Sequence, residues 1–243
     1  MQRTALVFPV LAGKTEAEVR RIADRFTADP EGYFESRRRA GITLERAYWQ
    51  NTPMGDFVIG YAESDRSAVD VVGTWAEQAT EIDRFFVATV KEVHGIDLTD
   101  VPQGPPPQTV GEWVDAAVTE RRRGMAFCAP LAPGQEDRGR AWAKETFGSE
   151  AMTTSRRAMN QNVEVVTLTE TPQGPVCGVY LEGVDPFAAN RTLAASTEPF
   201  DVAFKNELSV LFPPFVDFSQ PVPGVTEIFD SLSLPTASEG LRR

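Results

Sequence analysis

The feature that most constrains this fold is a short turn sequence that occurs twice. Thr52-Pro53-Met54-Gly55 recurs as Thr171-Pro172-Gln173-Gly174 about half a chain later, and β-branched or aromatic runs flank both copies. Proline presets φ at the second position of a turn and glycine tolerates positive φ, so each copy predicts a β-hairpin. Two hairpins in equivalent places predict two copies of one fold.

The repetition extends along most of the chain. The spacing between matched residues changes only in stretches that resemble loops, where deletions are tolerated. The matched positions are Gly13 with Gly134, Phe26 with Phe147, Ser36-Arg37-Arg38 with Ser155-Arg156-Arg157, Tyr61 with Tyr180, Asp83 with Asp201, and Glu112 with Glu227. We therefore expect a first repeat over residues 1–117, a second over 118–231, and a loose tail over 232–243.

Each repeat has the pattern strand, helix, strand, strand, helix, strand. Thr15 with Glu18 forms a capping-box sequence, and Asp185-Pro186 is typical of a helix start. Val110–Val114 is compatible with a final strand, or with a helix capped by Thr109 and Glu112. The order predicts an α+β chain of two ferredoxin-like βαββαβ repeats, each an antiparallel sheet with its helices on one face.

The hairpin strands are apolar on both sides, so the second face of each sheet also needs a cover. Phe57, Ile59 and Tyr61 point to one face while Val58 and Gly60 point to the other. The sheet of the other repeat is the available cover. We therefore expect the two sheets to face each other in a pseudo-two-fold barrel.

Composition excludes several classes of partner. The 243 residues have a formal net charge of −11 and a pI of about 4.7, so neither a broad nucleic-acid surface nor an anionic-membrane surface is expected. No apolar leader and no run of membrane-spanning length occurs, which favours a soluble cytoplasmic protein, as a monomer or weak homodimer. Cys128 and Cys177 lack zinc-site spacing and are interpreted as buried residues of a reducing compartment.

The duplicated hairpin, the helix starts Gly13-Lys14 and Gly134-Gln135, and the helix end His94-Gly95-Ile96-Asp97 together resemble the dimeric α+β barrel superfamily of ferredoxin-like folds, here fused in tandem. That superfamily includes small antibiotic-biosynthesis monooxygenases, muconolactone isomerase-like enzymes, heme-degrading monooxygenases and chlorite dismutase-like proteins. The resemblance implies an architecture more than a chemistry, because one fold hosts many functions.

His94 is the sole histidine, and Phe212 occupies the matching position of the second repeat. Heme-degrading relatives carry an axial histidine near the end of the second helix, so the resemblance implies heme as a minor alternative. A structural alternative is a helix-terminal histidine before the Gly95 cap. A third is a general base.

Other residues are candidates for a ligand site. Tyr61 and Glu63 share a strand face, so Tyr61 joins His94 as a catalytic candidate; a buried interface tyrosine is the alternative. Substrate-binding candidates are Glu45, Tyr180 and Trp49, the last because its counterpart is Leu168 and therefore differs between the repeats. The arginines of the two Ser-Arg-Arg sequences are interpreted as cations that complement a helix dipole.

The function expected from these observations is that of a small-molecule-processing α+β barrel protein. A cofactor-independent monooxygenase, isomerase or cyclase acting on an apolar or aromatic compound fits best. A non-catalytic ligand-binding or structural barrel is the alternative. No tightly bound cofactor or metal is expected, because phosphate loops, nucleophile elbows, zinc-binding histidine pairs and dinucleotide fingerprints are absent from the sequence.

Overall fold

Side-chain caps mark where most of the helices begin. In the computed structural model, which describes residues 1–100, 105–171 and 174–235, Thr15 and Glu18 form the predicted capping box. Asp185 accepts a hydrogen bond from the backbone nitrogen of Ala188 at 2.9 Å, directly before Pro186. Both predicted helix starts are confirmed.

The described residues form eight strands and eight α-helices. The strands are β1 (Gln2–Pro9), β2 (Ile42–Thr52), β3 (Gly55–Ser64), β4 (Gln108–Val114), β5 (Arg123–Pro130), β6 (Gln161–Thr171), β7 (Gly174–Gly183) and β8 (Val225–Asp230). The helices are α1 (Glu16–Ala28), α2 (Pro30–Arg39), α3 (Ala68–Ala76), α4 (Glu81–His94), α5 (Glu136–Phe147), α6 (Glu150–Ala158), α7 (Pro186–Ala195) and α8 (Pro199–Leu211). A 3-10 helix follows at Ser231–Ser233.

The duplicated turns connect two hairpins of the same register. Thr52 pairs with Gly55 in the first, and Thr171 pairs with Gly174 in the second. Gly55 has a φ of 118° and Gly174 a φ of 114°, which favour glycine at both places. The hairpin prediction is confirmed, although Pro172 and Gln173 lie outside the described residues.

The strands form two four-stranded antiparallel sheets, in the orders β1-β3-β2-β8 and β4-β6-β7-β5. The last strand of each repeat therefore joins the sheet of the other repeat. Val110–Val114 belongs to a strand, which excludes the helical alternative, and that strand pairs with β6 through Trp113 opposite Glu164. The expectation that each repeat builds its own sheet is wrong for its final strand, because ladder hydrogen bonds involve only the backbone and do not specify a partner.

The chain divides into two compact units that do not coincide with residues 1–117 and 118–231. As far as these ranges are described, unit 1 comprises Met1–Thr4, Phe8–Pro106 and Thr226–Arg243. Unit 2 comprises Ala5–Val7 and Pro107–Val225. The predicted limits follow the sequence repeats, whereas the compact units exchange the last strands. The pseudo-two-fold barrel of facing sheets stays a prediction.

The core of each unit lies between its sheet and its helices. In unit 2 it joins Phe147 of α5, Met152 of α6 and Phe204 of α8 to Leu168 and Cys177 of the sheet.

In unit 1, Leu234 is only 4% exposed and packs in the core with Phe26 of α1 and Phe229 of β8. Leu234 of the predicted tail is therefore packed, whereas Leu232 before it is 38% exposed, and the limits of the tail stay a prediction. Residues 236–243 lie outside the described residues. No helix in the described ranges is both long and apolar enough to cross a bilayer.

Candidate functional site

Each unit contains a cavity of about 80 Å³ between its helices and its sheet. Alternate side chains of each strand face this layer, because successive residues point to opposite sides of a sheet. In β7 these are Cys177, Val179 and Leu181. The cavity of unit 2 therefore lies on the face of its sheet opposite the one that carries Tyr180.

The cavity of unit 2 has mainly apolar walls. Aromatic side chains from four parts of the unit surround it: Phe127, Trp142, Phe147, Phe204, Phe212 and Phe218. Ionisable side chains at its edge are Glu136 and Arg140 of α5 and Glu164 of β6. An apolar cavity with a few polar groups is the usual form of a small-molecule site.

Arg140 is the least satisfied of these groups. Its Nη1 atom is buried, yet it has no hydrogen-bond partner within the described part of the chain. Glu136 precedes Arg140 by one helical turn, and no ion pair joins the two among the described contacts. A buried guanidinium nitrogen without an acceptor is costly, so an anionic or carbonyl oxygen placed there would be bound favourably.

Glu164 is already committed to Arg156. Arg156 Nε donates to Glu164 Oε2 at 2.6 Å, and Nη2 donates to Oε1 at 3.3 Å. Arg156 Nη1 donates to Ser155 Oγ at 3.1 Å, and that hydroxyl donates to Asp201 Oδ1 at 2.6 Å. The charge of Glu164 is therefore balanced by Arg156, and both of its carboxylate oxygens are occupied, so Glu164 is not favoured as a general base.

The cysteines of unit 2 are thiols of low reactivity. Burial raises the pKa of Cys177 to about 12, and the charge of Arg140 opposes this only in part. Burial and Cys177 raise the pKa of Cys128 to about 12. Both are buried thiols, which confirms their interpretation as small apolar residues, and neither is a thiolate nucleophile at neutral pH.

The cavity of unit 1 has His94 in its wall. His94 ends α4 and contacts the ring of Phe8 at 5.5 Å between centroids. Its Nδ1 lies 2.9 Å from the carbonyl oxygen of Pro9, while Nε2 has no partner within residues that the structure describes. Burial lowers the pKa of His94 below its ordinary value of 6.5, and the bond to Pro9 offsets this in part. The imidazole is therefore neutral at pH 7.

Heme does not fit this cavity as it stands. An axial histidine needs a porphyrin in front of its free nitrogen, and a porphyrin ring is far larger than a space of about 80 Å³. Phe26, Phe86 and Phe229 line the cavity and would have to move apart. No group of three or more metal-ligating side chains occurs in the described ranges.

The structure brings together only part of the predicted site. Glu45 lines the cavity of unit 1 with His94, but it accepts hydrogen bonds from Arg37 at 2.7 Å and Tyr33 at 3.0 Å. Tyr61 lines neither cavity and donates to Glu63 Oε1 at 2.9 Å.

The other two predicted residues also lie outside both cavities. Tyr180 donates to Glu182 Oε2 at 2.8 Å, so the tyrosine–glutamate contact is the same in both repeats. Trp49 is buried in the core of unit 1. The roles of Tyr61, Tyr180 and Trp49 stay predictions.

Arg37 and Arg156 lie in the last turns of α2 and α6, as the helix-dipole interpretation expects, but each also has a buried acidic partner that the interpretation did not include. Both side chains are only 1% exposed and form ion pairs with Glu45 and Glu164. Each guanidinium also lies over an aromatic ring at 4.5 Å, Phe26 for Arg37 and Phe204 for Arg156.

Sequence reasoning missed Arg140, although a signal for it exists. The spacing of Gly13 to Gly134 and of Phe26 to Phe147 aligns Arg140 with Val19, a position of the apolar stripe of α1. Arg140 thus places a charged side chain where the first repeat has the core residue Val19, and such a difference indicates a site that only the second repeat has.

Neither the family models nor the curated proteins match this chain. The comparison with solved structures found two similar chains, a proposed monooxygenase from Fusobacterium nucleatum subsp. nucleatum and an anthrone oxidase-like protein. Their TM-scores are 0.48 and 0.49 at 7% and 8% identity, with 93% of this chain and 88% of each matched chain covered. Similarity this low supports no assignment of activity, so membership of the dimeric α+β barrel superfamily stays a prediction.

Proposed function

We propose that the cavity of unit 2 binds a small apolar or aromatic compound through one acidic oxygen, and that the protein converts this compound without a tightly bound cofactor. The observation that carries the proposal is the buried Nη1 of Arg140, which meets no acceptor among the described residues. The aromatic walls suit the carbon skeleton of such a ligand, and the guanidinium suits its oxygen.

The three expected reaction classes have a common requirement. A cofactor-independent oxygenase, an isomerase and a cyclase can each act on a phenolate or enolate, whose negative charge must be stabilised during the reaction. A fixed cation in a water-poor cavity stabilises such a charge more strongly than water does. Arg140 is placed to supply this stabilisation.

Glu136 is the proposed proton acceptor. It lines the cavity one turn before Arg140. Glu164 also lines it, but its carboxylate is engaged by Arg156. In the proposed step the ligand O–H bond breaks, its proton passes to a Glu136 oxygen, and the electron pair stays on the ligand oxygen beside Arg140. A Glu136→Gln variant would keep ligand binding and lose this transfer.

The binding step is tested with 4-nitrophenol, whose phenolate absorbs visible light and whose phenol does not. With protein in excess, we expect the pKa of the bound phenol to fall by about 1 unit or more, as beside other cationic groups. Arg140→Met should abolish this shift. Arg138→Met is the matched control, since Arg138 lies on the same helix, is 52% exposed and pairs with Glu207. An equal shift in wild type and Arg140→Met, or none in wild type, would refute the proposal.

Turnover is tested separately from binding. Phenols and enolisable ketones are incubated with the protein while dissolved oxygen and ligand are followed. Loss of oxygen together with ligand indicates an oxygenase, whereas conversion without oxygen uptake indicates an isomerase or cyclase. Binding without any conversion across the series would favour the non-catalytic alternative. Conversion that persists in Arg140→Met would contradict the assigned site.

A further inference from the structure

Each cavity has a polar side chain at a position where the other repeat has an apolar one. Unit 2 has Arg140 where unit 1 has Val19, and unit 1 has His94 where unit 2 has Phe212. All four residues line their respective cavities. One cavity therefore offers a cation and the other an imidazole, so the two favour ligands with different polar groups.

The hydrogen bond at Nδ1 determines what His94 offers. The carbonyl oxygen of Pro9 can only accept a hydrogen bond, so Nδ1 must carry the proton that is donated over 2.9 Å. In a neutral ring the other nitrogen, Nε2, is then a lone-pair acceptor. Nε2 meets no donor within the part of the chain that the structure describes.

The remaining polar groups of this cavity are engaged elsewhere. Glu45 is held by Arg37 and Tyr33. Arg46 Nε donates to Asp230 Oδ2 at 3.0 Å. The other walls are apolar, and they include the rings of four phenylalanines, namely Phe8, Phe26, Phe86 and Phe229.

We propose that the cavity of unit 1 is a second ligand site, which takes a neutral single-ring aromatic compound that donates one O–H or N–H hydrogen bond to His94 Nε2. Phenol and pyrrole are examples of this class. The phenylalanine walls of the cavity suit the faces and edges of one aromatic ring. An anion is disfavoured because its charge would face a lone pair in an apolar space. The site is independent of the function proposed for unit 2.

The sole histidine makes the test specific to this site. In protein labelled with ¹⁵N-histidine, every imidazole signal arises from His94. Without ligand we expect the Nδ1–H tautomer. Addition of phenol should move the Nε2 resonance upfield, as for an acceptor that gains a donor, while toluene of similar shape and benzoate should leave it unchanged.

Two variants separate this site from that of unit 2. His94→Phe copies the residue of the other repeat and should weaken the binding of phenol to unit 1 about 3- to 10-fold, the ratio that one neutral hydrogen bond supplies. Because phenol can also enter unit 2, this affinity is measured in an Arg140→Met background. The effect of phenol on His94 should persist in Arg140→Met, even if the function proposed for unit 2 fails.

Three results would overturn the proposal. One is an Nε2 resonance that stays fixed at saturating phenol. Another is an equal response to toluene, and the third is an unchanged affinity in His94→Phe.

Discussion

Arg156 and Glu164 form a bidentate ion pair with both side chains buried, at 2.6 Å and 3.3 Å. Arg37 and Glu45 form the same pair in the other repeat, at 2.7 Å and 3.2 Å. In both repeats the serine before the arginine accepts a hydrogen bond from the guanidinium and donates one to an aspartate. Ser36 donates to Asp83 of α4, and Ser155 donates to Asp201 of α8. The pair joins the end of one helix to the central hairpin, so it organises each unit before any ligand binds.

We expect Arg156→Met to lower the free energy of unfolding by about 3–5 kcal/mol, because Glu164 would remain as an unpaired buried charge. Urea denaturation measures the loss. Arg156→Met combined with Glu164→Leu should recover most of it. As a control, Arg138→Met breaks an exposed pair and should cost less than about 1 kcal/mol. A small effect of Arg156→Met alone would contradict the prediction.

Gly178→Ala should destabilise unit 2 by about 1–3 kcal/mol, the usual cost of overpacking. A Cβ at this position would lie 2.1 Å from the carbonyl oxygen of Ala5, which is backbone and cannot turn aside. Gly73→Ala in α3 is the matched control, since a Cβ there meets nothing within 4 Å. That change should stabilise the protein by about 0.5–1 kcal/mol. If thermal unfolding showed that Gly178→Ala and Gly73→Ala change the stability in the same direction, the predicted close approach of Gly178 to Ala5 would be refuted.

The stability contributed by His94 should depend on pH. Its folded-state pKa is lowered by burial from 6.5, so the unfolded chain binds a proton at higher pH than the folded chain does. The contribution is complete above pH 6.5 and is lost as the pH falls from there towards the folded-state pKa. Wild type should therefore lose stability relative to His94→Phe as the pH falls below 6.5. A difference that stays constant over this range, or one that grows in favour of wild type, would contradict the prediction.

Hemin should not give a spectrum that depends on His94. The cavity beside this residue is about 80 Å³ and walled by phenylalanine rings, so a porphyrin does not enter it. Titration of hemin into wild type and His94→Ala should give the same Soret band or none. A shifted band in wild type that is lost in His94→Ala would show axial ligation and a cavity that opens.

Removal of β8 should affect unit 1 although β8 follows unit 2 in the chain. Glu45 N donates to Ser231 Oγ at 3.1 Å, and Arg46 pairs with Asp230. A chain that ends at Gly224 lacks these partners, so hydrogen exchange at β2 amides should accelerate strongly while β6 amides stay protected. Equal protection of β2 in both chains would argue against the exchanged strand.

Much of the fold could be predicted because its signals are local. The turn sequences, the capping box at Thr15 and the Asp185-Pro186 start each act on neighbouring residues. The site was less predictable. His94 and Glu45 do line a cavity, but Arg140 was missed, because its position on an apolar stripe matters only when the two repeats are aligned.

The sequence by itself determined the two hairpins, the helix starts and the positions of the repeated residues, since these depend on backbone preferences within a few residues. Only the tertiary structure decided that β4 and β8 exchange sheets, because ladder hydrogen bonds are alike for every strand. It also decided which arginines are buried. Arg37 and Arg156 are enclosed by aromatic rings from distant elements, and a guanidinium remains there only because Glu45 and Glu164 neutralise it.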